Sequence, residues 1–282
     1  HPLTPLTFLE RAALVFPKHP AIIHGNLRRD YAGRYLRCCQ FASVLDRAGL
    51  GPGDTVSVML LNTPAMIEAH YGVPMAGAVL HSLNTRLDAS TIAFQLDHAE
   101  AKIVITDVAL LPRMREALGM AEGTPRLIVY DDAEYEGPKS AYDETEYEAF
   151  IAKGDANFPW KMPANEWDAI SINYTSGTTG DPKGVVYHHR GAYLLAQGNA
   201  LTASMKKQAI YLWTLPMFHC NGWCFPWTIS ALSGTHVCLR DVRADDIWKA
   251  ILEHRVSHMC GAPIVMSMVV SGKPENAKLD YE

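Results

Sequence analysis

The densest chemistry in the sequence lies at residues 174–185, Tyr-Thr-Ser-Gly-Thr-Thr-Gly-Asp-Pro-Lys-Gly-Val. Gly177, Gly180 and Gly184 remove the side chains that would keep a bulky anion off the backbone, leaving N–H groups free to point at it. Ser176, Thr178 and Thr179 add hydroxyl donors, and Lys183 adds a mobile point charge suited to phosphate oxygens. Asp181 is the only anion in the run. A loop of this composition is built to hold polyphosphate. Gly, Thr, Asp and Pro also make ordinary turns, but twelve such residues between two strand-like runs exceed what a turn needs. A Walker loop is excluded, because Pro182 precedes Lys183 and Gly184 follows it where that motif needs Gly-Lys-Ser/Thr. The run also leads into a strand rather than opening a helix, so a flap rather than a helix N-terminus would grip the phosphates.

A second candidate segment, residues 215–223, sets His219 between Phe218 and Cys220, with Trp223 close behind. A histidine after an aromatic is often a satisfied buried group, and Trp223 could be core; the phosphate loop upstream tips both towards function. Other matches are weaker. Gly49, Gly51 and Gly53 follow a helix and precede a strand, the wrong order for a dinucleotide fingerprint. Ser204-Met205-Lys206-Lys207 fits S-x-x-K without companion motifs. His219, Cys220 and Cys224, or His258 and Cys260, lack the C-x-x-C spacing of a metal site, so no metal ligand is assigned.

The chain that must position these groups has 282 residues, 48% of them hydrophobic and 20% charged, with a formal net charge of −5. That composition is globular, and its mild acidity gives no reason to expect nucleic acid or a membrane surface as partner. No apolar run reaches the roughly 18 residues of a membrane span; the longest, residues 260–270, contains Pro263. The six cysteines are sparse and irregular, which favours packed thiols in a reducing compartment over a disulfide scaffold. The sequence starts without Met and ends without a stop signal, so both ends are expected to be cuts.

From residue 30 to about 131 the hydrophobic period keeps switching between helix and strand. Asp30 can cap a helix in which Tyr35, Cys38, Cys39, Ala42, Leu45 and Ala48 recur at three and four. Strands are expected at 55–61, 78–83, 103–106 and 126–130, with helices at 64–76, 88–98 and 109–118. Eight acids against one base at residues 131–148 read as a solvated connector and mark a subdomain boundary, dividing 1–150 from 151–282. Strands then follow at 169–175, 185–188, 210–215, 236–239 and 258–261, and helices at 191–204, 223–232 and 245–254. This alternation predicts an α/β fold of doubly wound, mostly parallel sheets covered by helices.

Residues 174–185 closely resemble the phosphate-binding signature of the AMP-forming adenylating enzymes, which include acyl-CoA synthetases, luciferases and peptide-synthetase adenylation domains. Residues 215–223 resemble the same family's proline–aromatic–histidine segment beside the acyl pocket. Residues 83–87 (Leu-Asn-Thr-Arg-Leu) and Gly261-Ala262-Pro263 sit where such ligases carry similar segments. The wording Phe-His-Cys-Asn-Gly-Trp is most similar to ligases for short- or medium-chain and aromatic acids, such as the methylmercaptopropionate and plant peroxisomal types. The resemblance implies ATP with Mg²⁺, a carboxylic acid and CoA as reactants, and an acyl-adenylate on the way to acyl-CoA. It implies that Thr175, Ser176, Gly177, Thr178, Thr179, Gly180 and Lys183 bind the nucleotide. Lys183, Thr179 and His219 would then take part in the chemistry, and Phe218, His219, Trp223, Gly261, Ala262 and Pro263 would line the acyl pocket. The chain shows no tyrosine–glycine–x–threonine–glutamate segment, ribose aspartate, hinge or small C-terminal domain. It is therefore expected to be the N-terminal portion of such an enzyme and to make little or no acyl-CoA alone. An amino-acid adenylation domain and a non-catalytic nucleotide-binding or interaction module are the rival readings. The resemblance leaves a homo-oligomer open, with cytoplasm as the default location and peroxisome the alternative.

Overall fold

A computed structural model describes residues 1–175, 182–275 and 277–281. Twelve strands occur among them: β1 Pro20–His24, β2 Leu27–Asp30, β3 Thr55–Met59, β4 Val79–Ser82, β5 Ala101–Asp107, β6 Arg126–Tyr130, β7 Thr145–Glu146, β8 Ala169–Tyr174, β9 Gly184–His188, β10 Ile210–Leu212, β11 Thr235–Val237 and β12 His258–Met259. They form one sheet in the order β7-β6-β5-β3-β4-β8-β9 and a second in the order β12-β10-β11-β1-β2. Every pairing is parallel except the edge pairs β8–β9 and β1–β2. The expected α/β class is therefore the observed one. Sheet membership does not follow chain order: β8 and β9 extend the first sheet, while β1 and β2 complete the second.

Residue type explains where each element sits. All five residues of β3 (Thr-Val-Ser-Val-Met) are buried, as a central parallel strand covered on both faces requires. Asp30 and Asp88 cap their helices, Tyr31–Arg47 and Ala89–His98, accepting from the N–H of Gly33 and Thr91. Helix Pro64–Met75 is buried at every position and belongs to one apolar cluster with Leu6, Ile22, Phe41, Trp213 and Trp227. That cluster draws on both sheets, so they share a core. Gly72 lets this helix approach Tyr31–Arg47, since a Cβ there would lie 2.5 Å from the Phe41 ring.

Two buried ion clusters hold the layers together. Glu68, fully buried, accepts from Arg37 at 2.7 and 3.0 Å, from the Tyr147 hydroxyl at 2.9 Å and also from Arg29. Burial alone would raise this carboxyl; Arg37 and Arg29 outweigh it and hold it below the usual range. Arg240 donates to Asp107 and Asp132, and Asp132 also pairs with His24. Replacing Glu68 by alanine leaves the largely buried Arg29 without this carboxylate and Arg37 with Glu148 alone, which should cost about 3 kcal/mol. Urea unfolding reads the loss; a cost below about 1 kcal/mol, typical of exposed pairs, would show the cluster to be incidental.

The structure corrects several expected elements. Helix Leu6–Val15, the β1–β2 hairpin and helix Pro263–Ser271 were not expected, and Pro263 opens that last helix rather than ending a run. The acidic stretch is not wholly a solvated connector. Its end forms β7 and helix Tyr147–Ile151, and its Asp132 is buried in the ion cluster. The strands expected at 210–215 and 258–261 stop at Leu212 and Met259. The helix expected at 223–232 begins only at Phe225, because Trp223 and Cys224 have φ of 53° and 63°, outside the right-handed region.

Candidate active site

Every segment singled out for chemistry leaves the carboxyl end of a strand in a parallel run, where open α/β sheets place their ligands. Residues 83–87 follow β4, the phosphate loop follows β8, residues 215–223 follow β10, and residues 261–263 follow β12. At the neck of the loop, β8 and β9 pair Tyr174 with Gly184, and the Thr175 N–H donates to the Lys183 carbonyl at 3.0 Å. Lys183 and Thr175 are exposed, so the backbone closes the neck while both side chains stay free of the core. A Cβ on Gly184 would lie 2.7 Å from Ile172, which explains glycine at this close approach. Ser176, Gly177, Thr178, Thr179, Gly180 and Asp181 lie outside the described residues. Tyr174, the last residue of β8, shares a 2.7 Å hydrogen bond with His98 Nδ1.

Three buried amides seat the aromatic–histidine segment against this neck. Asn62, just past β3, donates to the carbonyls of Trp213 (2.9 Å) and Leu215 (3.1 Å) and accepts from the Met217 N–H (2.8 Å). Asn173, on β8, donates through Nδ2 to the Phe218 carbonyl at 3.1 Å. Asn221 donates through Nδ2 to Ser171 Oγ and to Asn173 Oδ1, both at 2.7 Å. Thr214 Oγ1 donates to the Cys260 carbonyl at 2.7 Å, which sets Gly261, Ala262 and Pro263 beside the same segment. Phe218 is half-buried, while His219, Trp223, Ala262 and Pro263 are exposed. The structure thus brings the neck of the loop, Phe218 and the Gly261 turn onto one framework. The Asn62, Asn173, Asn221 and Thr214 contacts went unread in the sequence. Only Asn221-Gly222, a pair that favours positive φ, offered a local signal.

His219 sits at the entry to an unusual turn. Cys220, Asn221, Gly222, Trp223 and Cys224 all adopt left-handed φ, at 49°, 53°, 54°, 53° and 63°. Each L-residue held there costs about 1–2 kcal/mol, so the turn persists only because its surroundings over-determine it. Asn221 is clamped as described, Asn199 Nδ2 donates to the Trp223 carbonyl at 2.8 Å, and Cys224 is buried beneath. Burial pushes the Cys224 thiol up to about 12, so it packs as a small apolar group. Gly222 fits because a Cβ would lie 2.7 Å from the Trp213 ring, which is itself fully buried. Gly222→Ala should therefore lose about 2–4 kcal/mol in thermal unfolding, from overpacking and left-handed strain together. An unchanged Tm would mean that the turn relaxes freely.

Comparison with known proteins fits this geometry. A family model described as AMP-binding enzyme matches residues 9–282. The peroxisomal acetate/butyrate–CoA ligase of Arabidopsis thaliana is 46% identical over 289 residues, covering 98% of this chain and 51% of the relative. The peroxisomal trans-cinnamate:CoA ligase of Petunia hybrida is 41% identical, covering 98% of this chain and 51% of the relative. Among solved structures, the inhibitor-bound N-terminal domain of FACL13 from Mycobacterium tuberculosis has a TM-score of 0.84 at 26% identity, covering 99% of this chain and 67% of that one. A putative long-chain fatty-acid CoA ligase from Rhodopseudomonas palustris shares the fold, with a TM-score of 0.84 at 21% identity over 97% of this chain and 67% of that one. The chain spans about half the length of the ligases from Arabidopsis and Petunia. A glycine–threonine loop necked between β8 and β9, an aromatic–histidine segment tied to it, and a family match running from residue 9 to the last residue agree: the chain belongs to the AMP-binding enzyme family.

Proposed function

We propose that this chain is the nucleotide- and acid-binding portion of an AMP-forming carboxylate–CoA ligase. The supporting observation is the hydrogen bond from Asn173 Nδ2 to the Phe218 carbonyl, because it ties the strand entering the phosphate loop to the segment that presents His219. A carboxylate is a poor electrophile: its charge repels nucleophiles, and oxide is a hopeless leaving group. Attack of the carboxylate oxygen on the α-phosphorus of ATP expels pyrophosphate and gives an acyl-adenylate. CoA thiolate then attacks the acyl carbon and AMP departs. The protein's share is positioning and charge stabilisation.

In this reading Lys183, Thr179 and the hydroxyl and N–H groups of residues 175–180 hold the β- and γ-phosphates, and the lysine stabilises charge on departing pyrophosphate. Mg²⁺ enters as the chelate of ATP. His219 orients the acid's carboxylate, with Phe218, Trp223, Gly261, Ala262 and Pro263 around the acyl group. The relatives named for acetate or butyrate and for trans-cinnamate favour a short-chain or aromatic acid as substrate. Their names also favour a peroxisomal setting over the cytoplasm; among the described residues no helix is long and apolar enough to cross a membrane.

The test is pyrophosphate exchange across a panel of acetate, butyrate, cinnamate, benzoate and amino acids, with this chain extended to the length of its relatives. Exchange with simple carboxylic acids is the expected result. Exchange confined to amino acids would favour an adenylation domain of the peptide-synthetase kind. None with any acid would leave a nucleotide-binding module.

A further inference from the structure

We infer that Asn221 is a positioning residue that locks the left-handed turn to β8 and thereby sets the carboxylate pocket in register with the phosphate loop. The inference rests on the ligase reading above and adds a residue to it.

Three observations converge on this side chain. Asn221 is fully buried, and its Nδ2 spends both hydrogens on β8, at Ser171 Oγ and Asn173 Oδ1. Asn173 then turns its own Nδ2 to the Phe218 carbonyl, so the two amides fix each other's orientation and bracket His219 from both sides. Lastly, Asn221 is the second of five successive left-handed residues, a conformation that asparagine tolerates better than most L-residues. Backbone and side chain therefore select the same residue for separate reasons.

The mechanical consequence is asymmetric. β8 is held by ladder hydrogen bonds to β4 on one side and β9 on the other. The turn at 220–224 has no such ladder and is strained, so it depends on its side-chain clamps. Cutting the Asn221 tie should free the turn and leave the strand in place. The loss should then fall on the acid, whose pocket the turn carries, and spare ATP, whose loop β8 carries.

Glycine separates the two roles of Asn221, because it adopts positive φ without strain but has no amide. In the chain extended to the length of its relatives, Asn221→Gly is expected to raise the acid KM in pyrophosphate exchange at least tenfold. The ATP KM should stay within threefold and circular dichroism should show the variant folded, with stability somewhat below the parent's because Ser171 Oγ and Asn173 Oδ1 lose a buried donor. Ser171→Ala, which removes one acceptor only, should shift the acid KM the same way by less. In the 282-residue chain, iodoacetamide should label Cys220 at least fivefold faster after Asn221→Gly, with Cys260 as the internal reference. If Asn221→Gly leaves the acid KM and Cys220 labelling at the parent's values, asparagine serves only the backbone and the inference is overturned. If the parent exchanges pyrophosphate with no acid, the ligase reading itself fails and this inference goes with it.

Discussion

Lys183→Ala is expected to lower acid-dependent pyrophosphate exchange by about 10²–10³-fold, the usual cost of losing one preorganised group that meets charge developing in a transition state. The backbone of Lys183 is fixed, because its carbonyl closes the neck with the Thr175 N–H, while its side chain is exposed at the mouth. With the backbone already placed, only the four-carbon side chain has to be ordered when the ammonium meets a phosphate. Lys183→Arg should recover only part of the rate, since a planar fork does not reproduce a compact point charge. Combining Lys183→Ala with Thr179→Ala should deepen the defect without unfolding the protein, because backbone groups of Thr175 and Lys183 close the neck. The assay is exchange in the chain extended to its relatives' length, with circular dichroism as the folding control. A rate within about threefold of the parent would remove Lys183 from the chemistry.

The second large effect is loss of stability in mild acid. Burial lowers His70 and His189 to about 4 and His81 to about 3. His70 Nδ1 donates to the Met66 carbonyl at 2.8 Å, His81 shares a 2.8 Å hydrogen bond with Ser57, and His189 shares one of 2.9 Å with Thr4. Once unfolded, each imidazole protonates near its ordinary value of about 6.5. Between that value and about 4 the unfolded chain therefore binds more protons than the native one, so stability falls as pH falls. Each group contributes up to about 1.4 kcal/mol per pH unit, and three together rival the whole stability of a typical domain. Glu68 and Asp132, both held below the usual carboxylate range, add their losses only in stronger acid. Urea midpoints at pH 7.5, 6.5, 5.5 and 4.5 should fall steadily from the second point onward. A flat profile down to pH 5 would mean that these rings find protons or water in the native state.

The alternating core from β3 to β6 was legible because buried parallel strands and amphipathic helices write different periods into the sequence. Asp30 and Asp88 announced their helices through a rule that spans only three residues. Helix Leu6–Val15 gave no such notice: its N-cap is Pro5, with no side-chain cap. β2 reads Leu-Arg-Arg-Asp, too polar to show as a strand, and is held by its pairing with β1. Asp132 looked like one of many solvated acids because its partners, His24 and Arg240, lie 108 residues away in either direction. At the site, residues 174–185 and 215–223 disclosed the family because their chemistry is local. The framework that seats them is not local: Asn62 reaches residues more than 150 positions on, and Asn221 reaches back about 50. Hydrogen bonds across such separations leave no periodic trace.

A crystal of this chain soaked with MgATP would show whether the glycine–threonine loop holds the phosphates of ATP, as proposed. The β- and γ-phosphate oxygens are expected within hydrogen-bonding distance of Lys183 Nζ and of backbone N–H groups in residues 176–180. A triphosphate bound elsewhere, with Lys183 turned away from it, would deny the loop that role.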